Sequence, residues 1–146
     1  MNEEVKILFQ YNHFVLSKNL EGISQEESLE GPQAGGNCIN WIVGHINVTR
    51  DDLLAALGIE KMCGEKLTAL YIRGSAPIRP DNAEEIGKLL KIFNESQAKI
   101  SKALDEKDYK DMEKSKELAG LGFHEAYHVG QTGILRRVIG KEGTIK

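Results

Sequence analysis

The chain has 146 residues, of which 40% are hydrophobic and 28% are charged, and its formal net charge is −3. This length and composition predict one soluble globular domain spanning residues 1–146 and exclude a disordered chain. The acidic balance argues against nucleic acid as a partner. No apolar run approaches the roughly 18 residues of a membrane span, so no membrane association is expected.

The two cysteines, Cys38 and Cys63, lie far apart and form no Cys-x-x-Cys pair. This usage fits a reducing compartment and excludes a disulfide scaffold or a zinc finger. The N-terminal sequence MNEEVKILFQ carries two acids before its first lysine, unlike a secretion signal. We therefore expect a cytoplasmic protein.

Four stretches show helical periodicity and none alternates like a β-strand, so we predict an all-α protein. The first stretch covers residues 2–20, and the second covers residues 37–57 with Asn37 as its N-cap. Gly22 and Gly58 stand just past their ends, where glycine commonly stops a helix. The segment between the two stretches, SQEESLEGPQAGG, is predicted to be a loop.

The third stretch begins near Asp81 or Asn82 and places Glu84 and Glu85 in its first turn, where the helix dipole favours anions. Its apolar residues recur at i, i+3, i+4 and i+7, which predicts one buried face. The residues of this face are Ile86, Leu89, Leu90, Phe93, Ile100 and Leu104.

The fourth stretch begins near Ser115 or Leu118 and ends at Ile139, before Gly140. The charged run in front of it, DEKDYKDMEKSKE, is interpreted as a solvated connector or a helix start. A helical glycine costs up to about 1 kcal/mol, so we predict that close helix packing compensates for the glycines inside this stretch. These are Gly120, Gly122, Gly130 and Gly133.

The connection between the second and third stretches, GIEKMCGEKLTALYIRGSAPIRP, is too long for a simple up-and-down pair of helices. Its length suits two consecutive parallel helices, with the chain crossing the length of a four-helix bundle. Leu67, Leu70 and Tyr71 have the spacing of a short helix that packs over the bundle as a lid.

Three of the four histidines fall on apolar helix faces. His124 and His128 lie one turn apart in the centre of an apolar stripe, with their side chains roughly 6 Å apart and able to share one metal ion. His45 faces the core or a cavity, whereas His13 lies at a polar boundary. The solvent side of the His45 helix is predicted to carry Asn40, Gly44, Asn47 and Asp51.

Three neutral imidazoles on two helices would make a metal site with one open position, and imidazole suits Zn, Ni, Cu or Fe. Behind them, Gln131 is a candidate for orienting an imidazole or a water, or for a plain helix-packing hydrogen bond. Asp52 is a candidate for supporting His45, or for a salt bridge. Trp41 and Tyr127 could line the pocket or simply belong to the core.

The sequence His124-Glu125-Ala126-Tyr127-His128 matches the His-Glu-x-x-His signature of zinc peptidases, in which the glutamate is the general base. We do not favour this interpretation, because the chain after His128 holds no further histidine and no strand is predicted to hold an extended peptide. Glu125 also shares its side of the helix with Thr132 and Arg136, which predicts solvent exposure.

Three segments resemble the DinB/YfiT-like proteins, a family of small four-helix metal-binding proteins. They are Tyr11-Asn12, the WIVGHI segment around His45, and the HEAYHVGQ segment that begins at His124 and is followed by Leu-Arg-Arg. The resemblance implies an up-down-down-up bundle with one divalent metal, zinc or nickel, held by His45, His124 and His128. It also implies a homodimer and, in characterised relatives, transferases and isomerases that use low-molecular-weight thiols such as bacillithiol or mycothiol.

Our leading hypothesis is a metal-dependent enzyme that activates a thiol or a water at the three-histidine site. It would be a low-molecular-weight-thiol S-transferase, or a hydrolase, acting on a small electrophilic substrate. One alternative is a non-catalytic stress-response protein that binds a divalent metal. Another is a structural bundle whose buried histidines are satisfied by hydrogen bonds.

Overall fold

The computed structural model describes residues 2–107, 109 and 111–145, with the side chain of Asn2 left out. Within these ranges the chain forms α-helices and no β-strand, which confirms the all-α prediction. No helix among them is long and apolar enough to cross a membrane. The helices are α1 (Asn2–Asn19), α2 (Gln25–Leu29), α3 (Ile39–Ala56), α4 (Glu65–Tyr71), α5 (Ile86–Glu106) and α6 (Met112–Val138).

The first two predicted helices correspond to α1 and α3. Gly22 and Gly58 adopt positive φ angles of 69° and 75°, as expected of glycines that end helices. The N-cap of α3 is Cys38 rather than Asn37, because the backbone remains extended through Cys38, with φ −83° and ψ 168°. Cys38 has no side-chain cap hydrogen bond.

Helix α2 occupies part of the segment predicted to be a loop. Its N-terminus is a capping box, in which Ser24 Oγ accepts from the Glu27 amide at 3.2 Å and Glu27 Oε2 accepts from the Ser24 amide at 2.8 Å. The Ser-x-x-Glu pattern that specifies this motif is present in the sequence. Its five-residue length gives too little periodicity to reveal the helix by hydrophobic pattern.

Helix α5 begins later than predicted, at Ile86, and Glu84 and Glu85 precede it. The Asn82 side chain accepts from the Arg79 amide at 2.7 Å and donates to the Pro77 carbonyl at 3.2 Å, which stabilises a turn instead of a helix. The predicted short helix of the crossover is present as α4, and it packs against α3.

Helix α6 begins earlier than predicted, at Met112, with Asp111 as an N-cap that accepts from the Glu113 amide at 3.2 Å. The second half of the charged run is therefore a helix start. Positions 108 and 110 of the run lie outside the described residues. Two of the four α6 glycines are closely packed. A Cβ atom would lie 2.6 Å from Leu8 at Gly122 and 3.2 Å from Asn19 at Gly133, whereas the other two meet no described atom within 4 Å.

The four long helices pack so that each contacts two of the others. Helix α3 packs against α5 and α6, and α1 packs against the same two helices from the other side. Two clusters of buried apolar side chains fill the space between them. One cluster surrounds Leu16, Ile42, Phe93 and Val129, and the other surrounds Phe9, Leu54, Ile100 and Leu118.

Helix α3 is buried on the side that was predicted to face solvent, so that prediction is wrong. Helices α4 and α5 cover this side, and each of its three polar side chains has a hydrogen bond to a backbone atom. Asn40 donates to the Glu84 carbonyl at 2.8 Å, Asn47 donates to the Leu89 carbonyl at 2.9 Å, and Asp51 accepts from the Met62 and Cys63 amides at 2.7 and 3.0 Å. Hydrophobic periodicity cannot distinguish such paired polar residues from solvent-facing ones.

Candidate metal centre

The three predicted histidines come together between α3 and α6. The ring centroid of His45 lies 5.2 Å from that of His124 and 4.9 Å from that of His128, and the two α6 rings are 4.6 Å apart. One nitrogen from each ring lies within 4.8 Å of the corresponding nitrogen of the other two. This convergence confirms that the two helices bring the imidazoles within reach of one metal ion.

His45 is held by the backbone of α4. Its Nδ1 donates to the Tyr71 carbonyl oxygen at 2.8 Å, which leaves Nε2 as the unprotonated nitrogen. The indole of Trp41 stacks on the imidazole, with 4.6 Å between centroids and 13° between planes. The ring is 7% exposed, so burial and stacking fix its orientation.

Tyr71 is in turn fixed deep in the core. Its hydroxyl donates to Asn40 at 2.7 Å and accepts from the Glu84 amide at 2.9 Å. Its ring lies against Gly44, where a Cβ atom would be only 2.1 Å from a ring carbon. The absence of a side chain at Gly44 therefore allows α4 to reach His45.

His128 is held by its own helix. Its Nδ1 donates to Gln131 Oε1 at 2.8 Å, one turn along α6, and its Nε2 remains free to bind a metal. Gln131 thus orients an imidazole, which is one of the two roles considered for it. Tyr127 contacts the His128 ring edge-on at 5.1 Å and is itself 60% exposed.

His124 differs from the other two histidines in that no hydrogen bond from a described residue holds its Nδ1. Its Nδ1 is buried and has no hydrogen-bond partner among the described residues. Buried polar atoms are nearly always paired, and an imidazole that only packs a core would be expected to have such a partner. No described residue occupies this nitrogen, and the His124 ring is free of competing hydrogen bonds there.

Burial lowers the pKa of all three histidines below the usual 6.5. The hydrogen bonds from His45 to Tyr71 and from His128 to Gln131 oppose this shift without reversing it. The imidazoles are therefore neutral at neutral pH, which is the state that binds metal ions.

A cavity of about 650 Å³ opens above the three rings. Its volume lies within the range of small-molecule sites. No aspartate or glutamate is among the described residues that line it. Besides the histidines, the side chains that line it are those of Asn37, Trp41, Arg73, Ser75, Ala76, Pro77 and Tyr127.

Glu125, the acid of the His-Glu-x-x-His sequence, points away from the cavity. It is 3% exposed, and its two carboxylate oxygens accept from Arg50 Nε and Nη2 at 2.7 and 2.8 Å. The predicted solvent exposure of Glu125, Thr132 and Arg136 is wrong, because all three are buried. That side of α6 faces α1 and α3, with buried polar partners instead of water.

Arg50 uses all its donors within the protein. Besides Glu125, it donates to the Phe93 carbonyl, Ser96 and Gln97, each at 2.8 Å. A carboxylate held by such a cation is not available as a general base, so Glu125 does not play the part of the zinc-peptidase glutamate. Arg50 and Glu125 instead connect the two helices that carry the histidines.

The remaining predicted residues lie outside the cluster. Asp52 is exposed, with its carboxylate 3.6 Å from Lys61 Nζ, so its observed contact is the salt bridge rather than a hydrogen bond to His45. His13 is partly buried, as its boundary position suggests, and hydrogen-bonds to Asn94 at 2.8 Å. Asn12 is buried and donates to the Gly122 carbonyl at 3.1 Å.

Sequence reasoning missed three residues that shape the site: Arg50, Tyr71 and Arg73. Tyr71 was identified only as part of a lid, because a backbone carbonyl that orients a ligand leaves no trace in side-chain periodicity. For Arg50, the sequence offers one signal. It is the single lysine or arginine of α3, a helix with a strongly apolar face.

The fold and the site together define an all-helical protein with a three-histidine group of metal-binding geometry. No protein-family profile matches the chain, and a search of curated proteins finds no significant match. Similarity to the DinB/YfiT-like family therefore remains a prediction, and the function is inferred from the site.

Proposed function

We propose that His45, His124 and His128 hold one divalent metal ion, zinc or nickel, and that the protein is a metal-dependent enzyme acting on a small electrophilic substrate. The convergence of three neutral imidazoles beneath a 650 Å³ cavity carries this proposal. The buried Nδ1 of His124 supports it, since no described residue pairs with that nitrogen. Three protein ligands leave one position for a substrate, which is typical of catalytic sites.

A divalent cation held there supplies Lewis acidity, which lowers the pKa of a thiol or a water at its remaining position. The protein holds two of the ligands in place, His45 through the Tyr71 carbonyl and His128 through the Gln131 amide. Trp41 and Tyr127 line the cavity and would place apolar surface beside the reacting groups.

The cavity lining favours a thiol over water as the nucleophile. No described carboxylate lines it, so the chain offers no acidic side chain as a general base for water. A thiol has a pKa of about 8.5, far below the 15.7 of water, and needs less assistance. We therefore place S-transfer from a low-molecular-weight thiol ahead of hydrolysis.

We also propose that α1, α3, α5 and α6 form the up-down-down-up bundle of the DinB/YfiT-like family. The pairwise packing of these helices and the long connection that contains α4 support this topology. The free cysteines Cys38 and Cys63 support a reducing, cytoplasmic location.

A homodimer is our further proposal for the assembly. Large apolar side chains project into solvent at helical spacing along α1 and α6, two helices that pack against each other. We call these residues the α1–α6 face: Ile7, Tyr11, Phe14, Phe123, Tyr127, Ile134 and Val138.

Elemental analysis of the untagged protein tests the metal site. We expect about one divalent ion per chain in the wild type, loss of the metal in His45→Ala, and retention in the matched control His13→Ala. Circular dichroism would verify that both variants remain helical. Equal metal content in the two variants, or no metal in the wild type after supplementation, would contradict the assignment.

A thiol-consumption assay then tests the activity. With an aryl chloride as electrophile, a carbon–sulfur bond forms, chloride leaves and the thiol proton passes to solvent. We expect turnover that depends on added metal and falls to background in His45→Ala. Metal binding without turnover across a panel of thiols and electrophiles would favour the non-catalytic metal-binding alternative.

A further inference from the structure

We infer that Arg73 makes this cavity a site for an anionic thiol, by binding a carboxylate on the thiol whose sulfur occupies the open metal position. The inference rests on the proposed function and narrows its substrate class. It follows from where Arg73 lies, from its lack of a partner, and from the charges around it.

A rigid turn places Arg73 at the mouth of the cavity. The Ser75 amide donates to the Ile72 carbonyl at 3.0 Å, and Gly74 has a φ of 82°, which is the geometry of a type II turn with glycine in its third position. The turn is anchored on both sides. Tyr71 precedes it in the core, and Trp41 Nε1 donates to Ser75 Oγ at 3.2 Å.

Arg73 lies close to the metal-binding end of the cavity. It lines both the 650 Å³ cavity and a neighbouring one of about 380 Å³, and His45 and His124 belong to both. The guanidinium is therefore near enough to act on a molecule bound at the histidines.

The guanidinium has no hydrogen bond or salt bridge to any described residue, and its side chain is exposed. The acids on the wall of the smaller cavity are Asp51 and Asp52. Asp51 accepts from the Met62 and Cys63 amides, and the carboxylate of Asp52 lies 3.6 Å from Lys61 Nζ. Among the described lining of the larger cavity, Arg73 is the single charged side chain besides the titratable histidines.

This distribution of charge favours an anion. A divalent ion on neutral imidazoles would add to the charge of Arg73, and no described acid in the larger cavity compensates. A thiolate neutralises part of this charge, and a carboxylate on the same molecule neutralises more. A guanidinium group binds a carboxylate through two parallel hydrogen bonds, so this contact would also fix the orientation of the bound thiol.

A charge series of small thiols tests the inference on the full-length protein loaded with Co²⁺. The probes are 3-mercaptopropionate, 2-mercaptoethanol and cysteamine, which have similar lengths and are negative, neutral and positive. Thiolate binding to cobalt produces a charge-transfer absorption, so each Kd is measured without turnover. We expect the wild type to bind 3-mercaptopropionate about tenfold more tightly than 2-mercaptoethanol, with cysteamine weakest.

Arg73→Gln should abolish this preference while leaving the Kd of 2-mercaptoethanol within about twofold, and Arg73→Lys should retain part of it. The control is Arg79→Gln, which removes an exposed arginine from the same connection but outside the cavity lining. Equal Kd values for the three thiols in the wild type, or equal effects of the two glutamine variants, would overturn this inference and leave the proposed function intact. Failure of the histidines to retain cobalt would overturn the proposed function and this inference with it.

Discussion

A histidine is best oriented as a metal ligand when a hydrogen bond holds its second ring nitrogen, as is the case for two of the three histidines. His45 and His128 meet this requirement in different ways, one through a backbone carbonyl from a distant helix and the other through an amide one turn away. Both acceptors place the proton on Nδ1 and leave Nε2 unprotonated, which also prevents the rings from rotating. Two of the three ligands are therefore already oriented before any metal binds.

The contact between Gln131 and His128 leads to a prediction about affinity. Gln131→Ala removes the acceptor on Nδ1, and loss of such a partner typically costs about 10- to 100-fold in metal affinity. We expect a decrease of this size in competition titrations against a chromophoric chelator. Gln131→Glu should bind at least as tightly as the wild type, because a carboxylate is a stronger acceptor.

Asp52→Asn provides the matched control for this prediction. Asp52 lies on the His45 helix, but its carboxylate pairs with Lys61 in solvent, and such exposed pairs contribute little. Its replacement should leave metal affinity within about twofold. If Asp52→Asn weakened binding as much as Gln131→Ala, the role given to Gln131 would have to be abandoned.

At the scale of elements, the site depends on how α3, α4 and α6 are fixed to one another. Arg50 and Glu125 connect α3 to α6 through two hydrogen bonds in the protein interior, five residues after His45 and one after His124. Tyr71 connects α4 to α3 at Gly44, one residue before His45. Each connection lies next to a histidine, so a shift of any of these helices would separate the ligands.

Much of this arrangement could be predicted from the sequence. The i, i+4 spacing of His124 and His128 and the inward position of His45 were sufficient to place three imidazoles together. Helical winding shows which residues share a face but not what packs against that face. For this reason the burial of Glu125 and of the polar side of α3 was not foreseen, since both depend on polar partners from other elements.

The contact between α3 and α4 leads to a prediction about stability. In Gly44→Ala, the new methyl group would lie 2.1 Å from the Tyr71 ring, which its two hydroxyl hydrogen bonds hold in place. Overpacking of this kind costs about 1–3 kcal/mol or more. We expect a decrease of at least 2 kcal/mol in the free energy of unfolding, measured in urea, together with weaker metal binding.

Gly87→Ala is the matched control, because a Cβ atom at this helical glycine would meet no described atom within 4 Å. Alanine is favoured over glycine in a helix by up to about 1 kcal/mol. Gly87→Ala should therefore be neutral or slightly stabilising. A Gly44→Ala protein as stable as the wild type would show that α4 does not depend on this close approach.

At the scale of the whole molecule, the α1–α6 face is the main feature that the packing of the chain leaves unexplained. Its four aromatic residues are between 54% and 72% exposed. At about 200 Å² for each aromatic side chain, they expose on the order of 500 Å². With the three aliphatic residues the area approaches the roughly 800 Å² per partner of a standard interface, which is enough for a second copy of this chain.

The dimer can be tested by replacing two residues of this face. In Phe123→Glu/Ile134→Glu, two carboxylates enter the apolar surface and would be buried without partners, so association should be lost. We expect a dimer mass for the wild type and a monomer mass for the variant by light scattering at micromolar concentration. Ile72→Glu, at an exposed isoleucine outside the face, should leave the dimer intact. Tyr127 belongs both to this face and to the cavity wall, so dissociation of the dimer should also weaken thiol binding. A monomer mass for the wild type would refute the interface.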